Sequence, residues 1–187
     1  MTEEHTKTIL QYLNALKALI DDFPLNDLTS ILSELEKARE KESTIFVCGN
    51  GGSWATASHM VCDFNKNTRM PDTKRMKVIG LGDNIPSLTA YANDEGYERV
   101  FVEPLINLMV PGDVLLAISG SGNSPNVLRA IETANEMGGV TLGLTGFKGG
   151  KMGGLVDHCL IIPSDSMEMI EDFHMIVDHI LTICLRK

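Results

Sequence analysis

Three hydroxyls and two glycines fall within six residues in Ser119-Gly120-Ser121-Gly122-Asn123-Ser124. The stretch follows an apolar run at residues 113–118 and precedes Val127-Leu128-Arg129-Ala130-Ile131, which is apolar at helical spacing. A buried strand therefore runs into a hydroxyl-rich loop that opens a helix. A helix N-terminus presents unpaired N–H groups and the positive end of a dipole. Hydroxyls and glycine backbone at that place can wrap an anion such as a phosphate. The loop holds no Lys or Arg, so neutral donors would hold the anion, which suits a phosphorylated metabolite that must leave again. The same residues also suit a plain turn and cap, since Ser124 before Pro125 has the form of an N-cap with Pro at N1. The Gly-Lys-Ser/Thr ending of a P-loop is absent, and so is the dinucleotide glycine pattern.

Gly49-Asn50-Gly51-Gly52-Ser53 stands in the same place after an earlier apolar run, Thr44-Ile45-Phe46-Val47-Cys48. Its glycines allow positive φ and close approach of a ligand. Two such loops opening at one end of a sheet favour a phosphate site over two plain turns.

The elements that would position these loops alternate. Short apolar runs lie near residues 44–48, 76–81, 114–118, 139–144 and 158–162, and helical patterns near 53–65, 85–108, 124–137 and 166–185. That order predicts an α/β fold: a three-layer αβα sandwich with a five-stranded parallel sheet of Rossmann-like or flavodoxin-like type. Ligands in such folds bind beyond the carboxyl ends of the strands. Ahead of the first strand, Ile9, Leu10, Leu13, Leu16, Leu19 and Ile20 predict an amphipathic helix over 4–20. A second helix runs to about residue 41, with Asn26-Asp27 as its cap. The expected organisation is a single domain over 1–187, with N-terminal helices at 1–41 and an α/β core at 42–187.

Composition narrows the class. The chain has 187 residues, 43% hydrophobic and 22% charged, with a formal net charge of −9. That acidic balance argues against nucleic acid as a partner, since phosphate backbones need a basic face. No stretch is long and apolar enough for a bilayer, so no membrane is expected. Residues 1–20 carry Glu3, Glu4, Lys7 and Lys17 without a continuous apolar core, so no signal peptide is expected either. Cys48, Cys62, Cys159 and Cys184 form no CxxC and read as buried thiols of a cytoplasmic protein.

The two loops together resemble the sugar isomerase (SIS) domain. Further pieces are His59 on the helix after the first loop, Ala92-Asn93-Asp94, Leu144-Thr145-Gly146, Gly149-Gly150-Lys151-Met152, and a terminal helix with His174 and His179. With these the resemblance covers nearly the whole chain and is to the phosphoheptose isomerase branch. It implies an aldose–ketose isomerase that converts sedoheptulose 7-phosphate, or a related ketose phosphate, to the aldose through a cis-enediolate. It also implies a homotetramer with active sites shared between subunits. Non-catalytic relatives that bind the bacterial replication initiator, or a phosphosugar sensor, are the alternatives.

Residue by residue, the resemblance places Asn50, Gly51, Gly52, Ser53, Ser119, Gly120, Ser121, Ser124 and Thr145 around the sugar phosphate, and Asn93, Asp94, Glu168 and Glu171 toward the substrate. The metal set falls on His59, Asp63, Glu171 and His179, the base on Asp63 and the acid on His179. Two imidazoles and two carboxylates suit a divalent ion, zinc above all. His59 and Asp63 are i, i+4 and share a helix face. Glu171 and His179 are offset by about 80° and converge on one site only if the terminal helix lies alongside it. The chain departs from the branch at two of these positions: Asp63 stands for a Glu, and Glu171 for a neutral amide. His174 and Asp178, also i, i+4, read as a pair on one helix face.

Overall fold

The computed structural model describes residues 3–186; Met1, Thr2 and Lys187, the outermost residues of the expected domain, lie outside them. The helices α1 (Glu3–Asp21) and α2 (Leu25–Lys41) precede β1 (Thr44–Gly49). Then follow α3 (Gly52–Lys66), β2 (Lys77–Gly80), α4 (Ile85–Asp94), α5 (Val102–Leu108) and β3 (Val114–Ser119). The chain closes with α6 (Pro125–Glu136), β4 (Val140–Thr145), β5 (His158–Ile161) and α7 (Met167–Leu185).

The five strands form one parallel sheet in the order β2-β1-β3-β4-β5. This is the flavodoxin-like order, and its switch point lies between β1 and β3. Both serine loops leave strands at that point. Register keeps the strand ends level, since Gly49 pairs with Ile118 and Ser119 with Thr145.

The strands are apolar on both faces because helices cover both. Alternation in β1 sends Ile45 and Val47 into a core with α2, α3 and α7, and Phe46 and Cys48 into a second core with α5 and α6. β3 is buried at every position.

Four details differ from the sequence pattern. The helix expected over 85–108 is two helices, α4 and α5, joined by a 3-10 turn at Tyr97–Arg99. Gly96 breaks it by adopting φ 94°, which no helix contains. The second helix starts at Leu25 after Pro24, with no side-chain cap, so Asn26 and Asp27 lie inside it. Of the four thiols only Cys48 is buried; Cys62 is exposed on α3. His174 and Asp178 do not pair. His174 is wholly buried and donates from Nε2 to the Thr145 carbonyl (3.3 Å), tying α7 to the end of β4.

α1 lies outermost. None of its residues is buried, although Leu16 and Leu19 pack against the core. Tyr12 donates to Asp172 of α7 (2.6 Å) and thereby has its phenol pushed up to about 12. Among the described residues no helix is long and apolar enough to cross a membrane.

Two contacts that hold α7 make measurable predictions. Arg39, buried near the end of α2, donates from Nη1 to the Leu185 carbonyl (2.7 Å) and satisfies the last turn of α7. Arg39→Ala strands that carbonyl and is expected to lower urea-unfolding stability by about 1–3 kcal/mol at unchanged m-value. Burial pushes the His174 ring down to about 4, against the pull of its bond to Thr145. Between pH about 6.5 and about 4 the unfolded chain binds a proton at this ring that the folded chain refuses. Stability from this residue therefore falls as pH falls. The stability difference between wild type and His174→Gln should grow by up to about 3 kcal/mol from pH 4 to pH 6.5, read from denaturant melts.

Candidate active site

The loops after β1 and β3 face each other across a cleft of about 290 Å³. Asn50, Gly51, Gly52 and Ser53 form one wall, and Ser119, Gly120, Ser121 and Ser124 the other. Met167 and Glu171 of α7 close the third side. The N-termini of α3 and α6 open here. Neither has a side-chain cap, whereas Asn84 caps α4 and Ser166 caps α7. Ser124 sits at the N-cap position of α6, but its hydroxyl faces that of Ser119 at 3.1 Å instead of its own helix. First-turn N–H groups and paired hydroxyls are thus left for a ligand.

The cup is braced from behind. Asn50 and Asn126 exchange reciprocal amide hydrogen bonds (2.8 and 2.9 Å), and the Tyr97 hydroxyl donates to Asn50 (3.0 Å). Asn126 and Tyr97 were not expected from the sequence; Asn126 carried one signal, its place two residues after Ser124. The Thr145 hydroxyl donates to the Gly120 carbonyl (3.3 Å), so it braces the serine loop from beneath. Gly122 turns that loop at φ 64°, and a side chain there would strike Thr145 and the Gly149 carbonyl.

From the cup the site continues between two helices. A side chain at Gly52 would collide with the Glu171 carboxylate, so α3 and α7 touch there. Farther along, the Nε2 atoms of His59 and His179 face each other at 3.3 Å. At the far end Arg186 donates to the Asn67 carbonyl (2.8 Å). All three contacts keep nearly one sequence offset, 120 residues for the histidines and 119 for Arg186 and Asn67. α3 and α7 therefore run parallel, side by side, and the terminal helix does lie alongside the site.

The histidines stand amid carboxylates. His59 Nε2 is 3.6 Å from Asp63 Oδ2 and 3.9 Å from Asp178 Oδ2. Asp63 is nearly buried, and its other oxygen accepts from Asn67 (2.8 Å). Asp178 is wholly buried with no hydrogen-bond partner on either oxygen. Burial first, and the Asp63 charge second, push its carboxyl up to about 7, while His59 and the nearby Thr182 pull it down. One ligand atom from each of His59, Asp63, Asp178 and His179 lies within 4.8 Å of all the others. A divalent ion fits this set: two imidazole nitrogens facing each other at 3.3 Å, and a buried carboxylate whose oxygens have no hydrogen-bond partner of normal geometry.

The sequence-derived residues separate into groups. His59, Asp63 and His179 come together, with Asp178 as a fourth member and Glu171 at the cup. Glu168 is exposed and accepts from the Ser166 hydroxyl (2.8 Å); a backbone bond and this hydroxyl hold its carboxyl below the ordinary range. Asn93 donates to Asp94 (2.6 Å) at the exposed end of α4, outside the residues that line the cleft.

Comparison with known proteins agrees with this arrangement. The SIS domain family matches residues 11–146. A phosphoheptose isomerase of Helicobacter pylori (strain Shi470) is 42% identical over 181 residues, covering 97% of this chain and 93% of that one. One from Aliarcobacter butzleri (strain RM4018) is 37% identical over 96% of this chain and 89% of its own length. The solved phosphoheptose isomerase of Neisseria gonorrhoeae superposes with a TM-score of 0.89 at 27% identity, covering 98% of this chain and 97% of that one. With an SIS match over most of its length and relatives this similar end to end, the chain belongs to the phosphoheptose isomerase family of SIS-domain proteins.

Proposed function

We propose that this protein isomerises sedoheptulose 7-phosphate to the aldose heptose 7-phosphate. The observation that carries the reading is the length of the groove between α3 and α7. Seven residues separate Gly52 from His59 and eight separate Glu171 from His179. At 1.5 Å per residue the cup and the histidine pair are about 11 Å apart. A seven-carbon chain with bonds near 1.5 Å spans roughly 10 Å from its first carbon to the phosphorus of a 7-phosphate. A phosphate in the serine cup thus sets the first two carbons beside His59, Asp63 and His179. A triose phosphate would reach about half as far.

Each residue then has a task. Ser53, Ser119, Ser121 and Ser124 hold the phosphate through neutral donors. Asp63, fixed by Asn67, takes the proton from carbon 1 and returns it to carbon 2. His179 gives a proton to the carbonyl oxygen at carbon 2 and takes back the proton that leaves the hydroxyl at carbon 1, so that the charge of the cis-enediolate does not build up and the proton count closes. Glu171, at the cup, faces the middle of the sugar, with its hydroxyls as natural donors to the carboxylate. A divalent ion, zinc on the chemistry of the donor set, would be held by His59, Asp63 and His179 with a carboxylate as fourth ligand. When bound it supplies Lewis-acid polarisation of the substrate's oxygens.

We also place the protein as a homotetramer with shared sites. The support is α1, where Ile9, Leu10, Leu13 and Ile20 are all exposed beside the groove-forming α7. The free thiols suit a reducing compartment, and we place the reaction in the cytoplasm.

The test is turnover of sedoheptulose 7-phosphate followed by aldose formation. His179→Ala should lower kcat by about 10²–10⁴-fold. Ser119→Ala should act chiefly on KM. Wild-type protein that turns over no heptulose phosphate would end the reading, and undiminished turnover by His179→Ala would remove His179 from the chemistry. Sedimentation should give a tetramer; a stable monomer would count against shared sites.

A further inference from the structure

Asp178 is the unexplained group in this site. It lies next to His179 in the chain and is wholly buried, yet neither oxygen has a hydrogen-bond partner. An unpaired carboxylate is among the most unfavourable groups to bury. It persists only where a proton, a cation or donors neutralise it. Thr182, one turn on, offers only a neutral hydroxyl, and the charged neighbours do not suffice. His59 lies 3.9 Å away, but its Nε2 also faces Asp63 at 3.6 Å and His179 at 3.3 Å. One proton on that nitrogen cannot serve two carboxylates and a second imidazole at once.

We infer that Asp178 is a direct metal ligand, the buried carboxylate of a two-histidine, two-aspartate site formed with His59, Asp63 and His179. Two observations carry the assignment beyond the orphaned oxygens. The first is charge, because two carboxylates and two neutral imidazoles sum to −2 and a divalent cation brings the pocket to zero. The second is spacing. Ligands at about 2.0–2.1 Å around a tetrahedral zinc stand about 3.3–3.4 Å from one another. The separations of 3.3, 3.6 and 3.9 Å from His59 Nε2 to its three neighbours lie close to that edge length. Asp178 thus joins the metal at the buried side of the groove, opposite the half-exposed His59. A ligand there leaves Glu171, two turns nearer the cup, available to the sugar.

The inference rests on the divalent-metal reading above, and the two fail in different ways. The measurement is zinc affinity of the full-length protein without sugar, by competition with a chromophoric chelator. Asp178→Asn, which preserves shape and removes the charge, is expected to weaken zinc binding by 100-fold or more. Asp172→Asn removes the same charge from the α1–α7 contact and should stay within about threefold of wild type. Loss of an outer partner of a ligand costs about 10–100-fold, so a loss below 100-fold for Asp178→Asn overturns the ligand role. Metal-free melting supplies the second readout. A ligand that is unpaired without its metal predicts that metal-free Asp178→Asn melts at or above metal-free wild type, and that a given zinc concentration raises its Tm much less than that of wild type. A variant that melts below wild type without metal would assign Asp178 to folding and overturn the inference. Wild type that binds no zinc would remove the metal reading as well; wild type that binds while Asp178→Asn binds equally removes this inference alone.

Discussion

The parallel pairing of α3 with α7 is the constraint on which the site depends. One helix follows the first strand and the other closes the chain, more than a hundred residues later. Gly52 lets them touch at the cup, His59 meets His179 midway, and Asn67 meets Arg186 at the end. Neither helix carries a complete set of groups. Only their alignment produces a groove with an anion cup at one end and imidazoles with carboxylates at the other. The surrounding structure holds that alignment: His174 ties α7 to β4, and Arg39 closes its last turn from α2.

The two ends of the groove solve opposite electrostatic problems. The cup proposed for the phosphate has no Lys or Arg among the residues that line it, in a chain of net charge −9. What it offers an anion is two uncapped helix N-termini and turned-in hydroxyls, donors without permanent charge. The far end concentrates negative charge, with Asp63 and Asp178 both against His59. That arrangement is stable only with a cation or protons to balance it, so the chemistry there is tied to what neutralises the carboxylates.

Much of this was legible in the residues. Apolar runs ending in Gly-Ser clusters located β1, β3 and both loops, because strand burial and turn chemistry are local properties. The pattern over 85–108 reads as one helix because its apolar spacing continues through Gly96, whose φ of 94° breaks it. Asp178 is illegible in the sequence for a different reason. At i, i+4 from His174 it reads as half of a pair on one helix face, and only the fold buries it beside His59. Likewise Asn126 reads as an ordinary helix residue until the fold sets Asn50 opposite it. Contacts between residues far apart in the chain leave no periodicity to read, and Asn50 with Asn126 and Tyr97 are such contacts.

The central claim is that one groove holds the phosphate and the reacting carbons at opposite ends. It is tested most directly by a crystal structure with sedoheptulose 7-phosphate and zinc, with anomalous data at the zinc edge. The account predicts the phosphorus between Ser119, Ser124 and Ser53, carbons 1 and 2 beside Asp63 and His179, and one anomalous peak among His59, Asp63, Asp178 and His179. A phosphate bound outside the serine cup, or a sugar whose first carbons point away from the histidine pair, would contradict it.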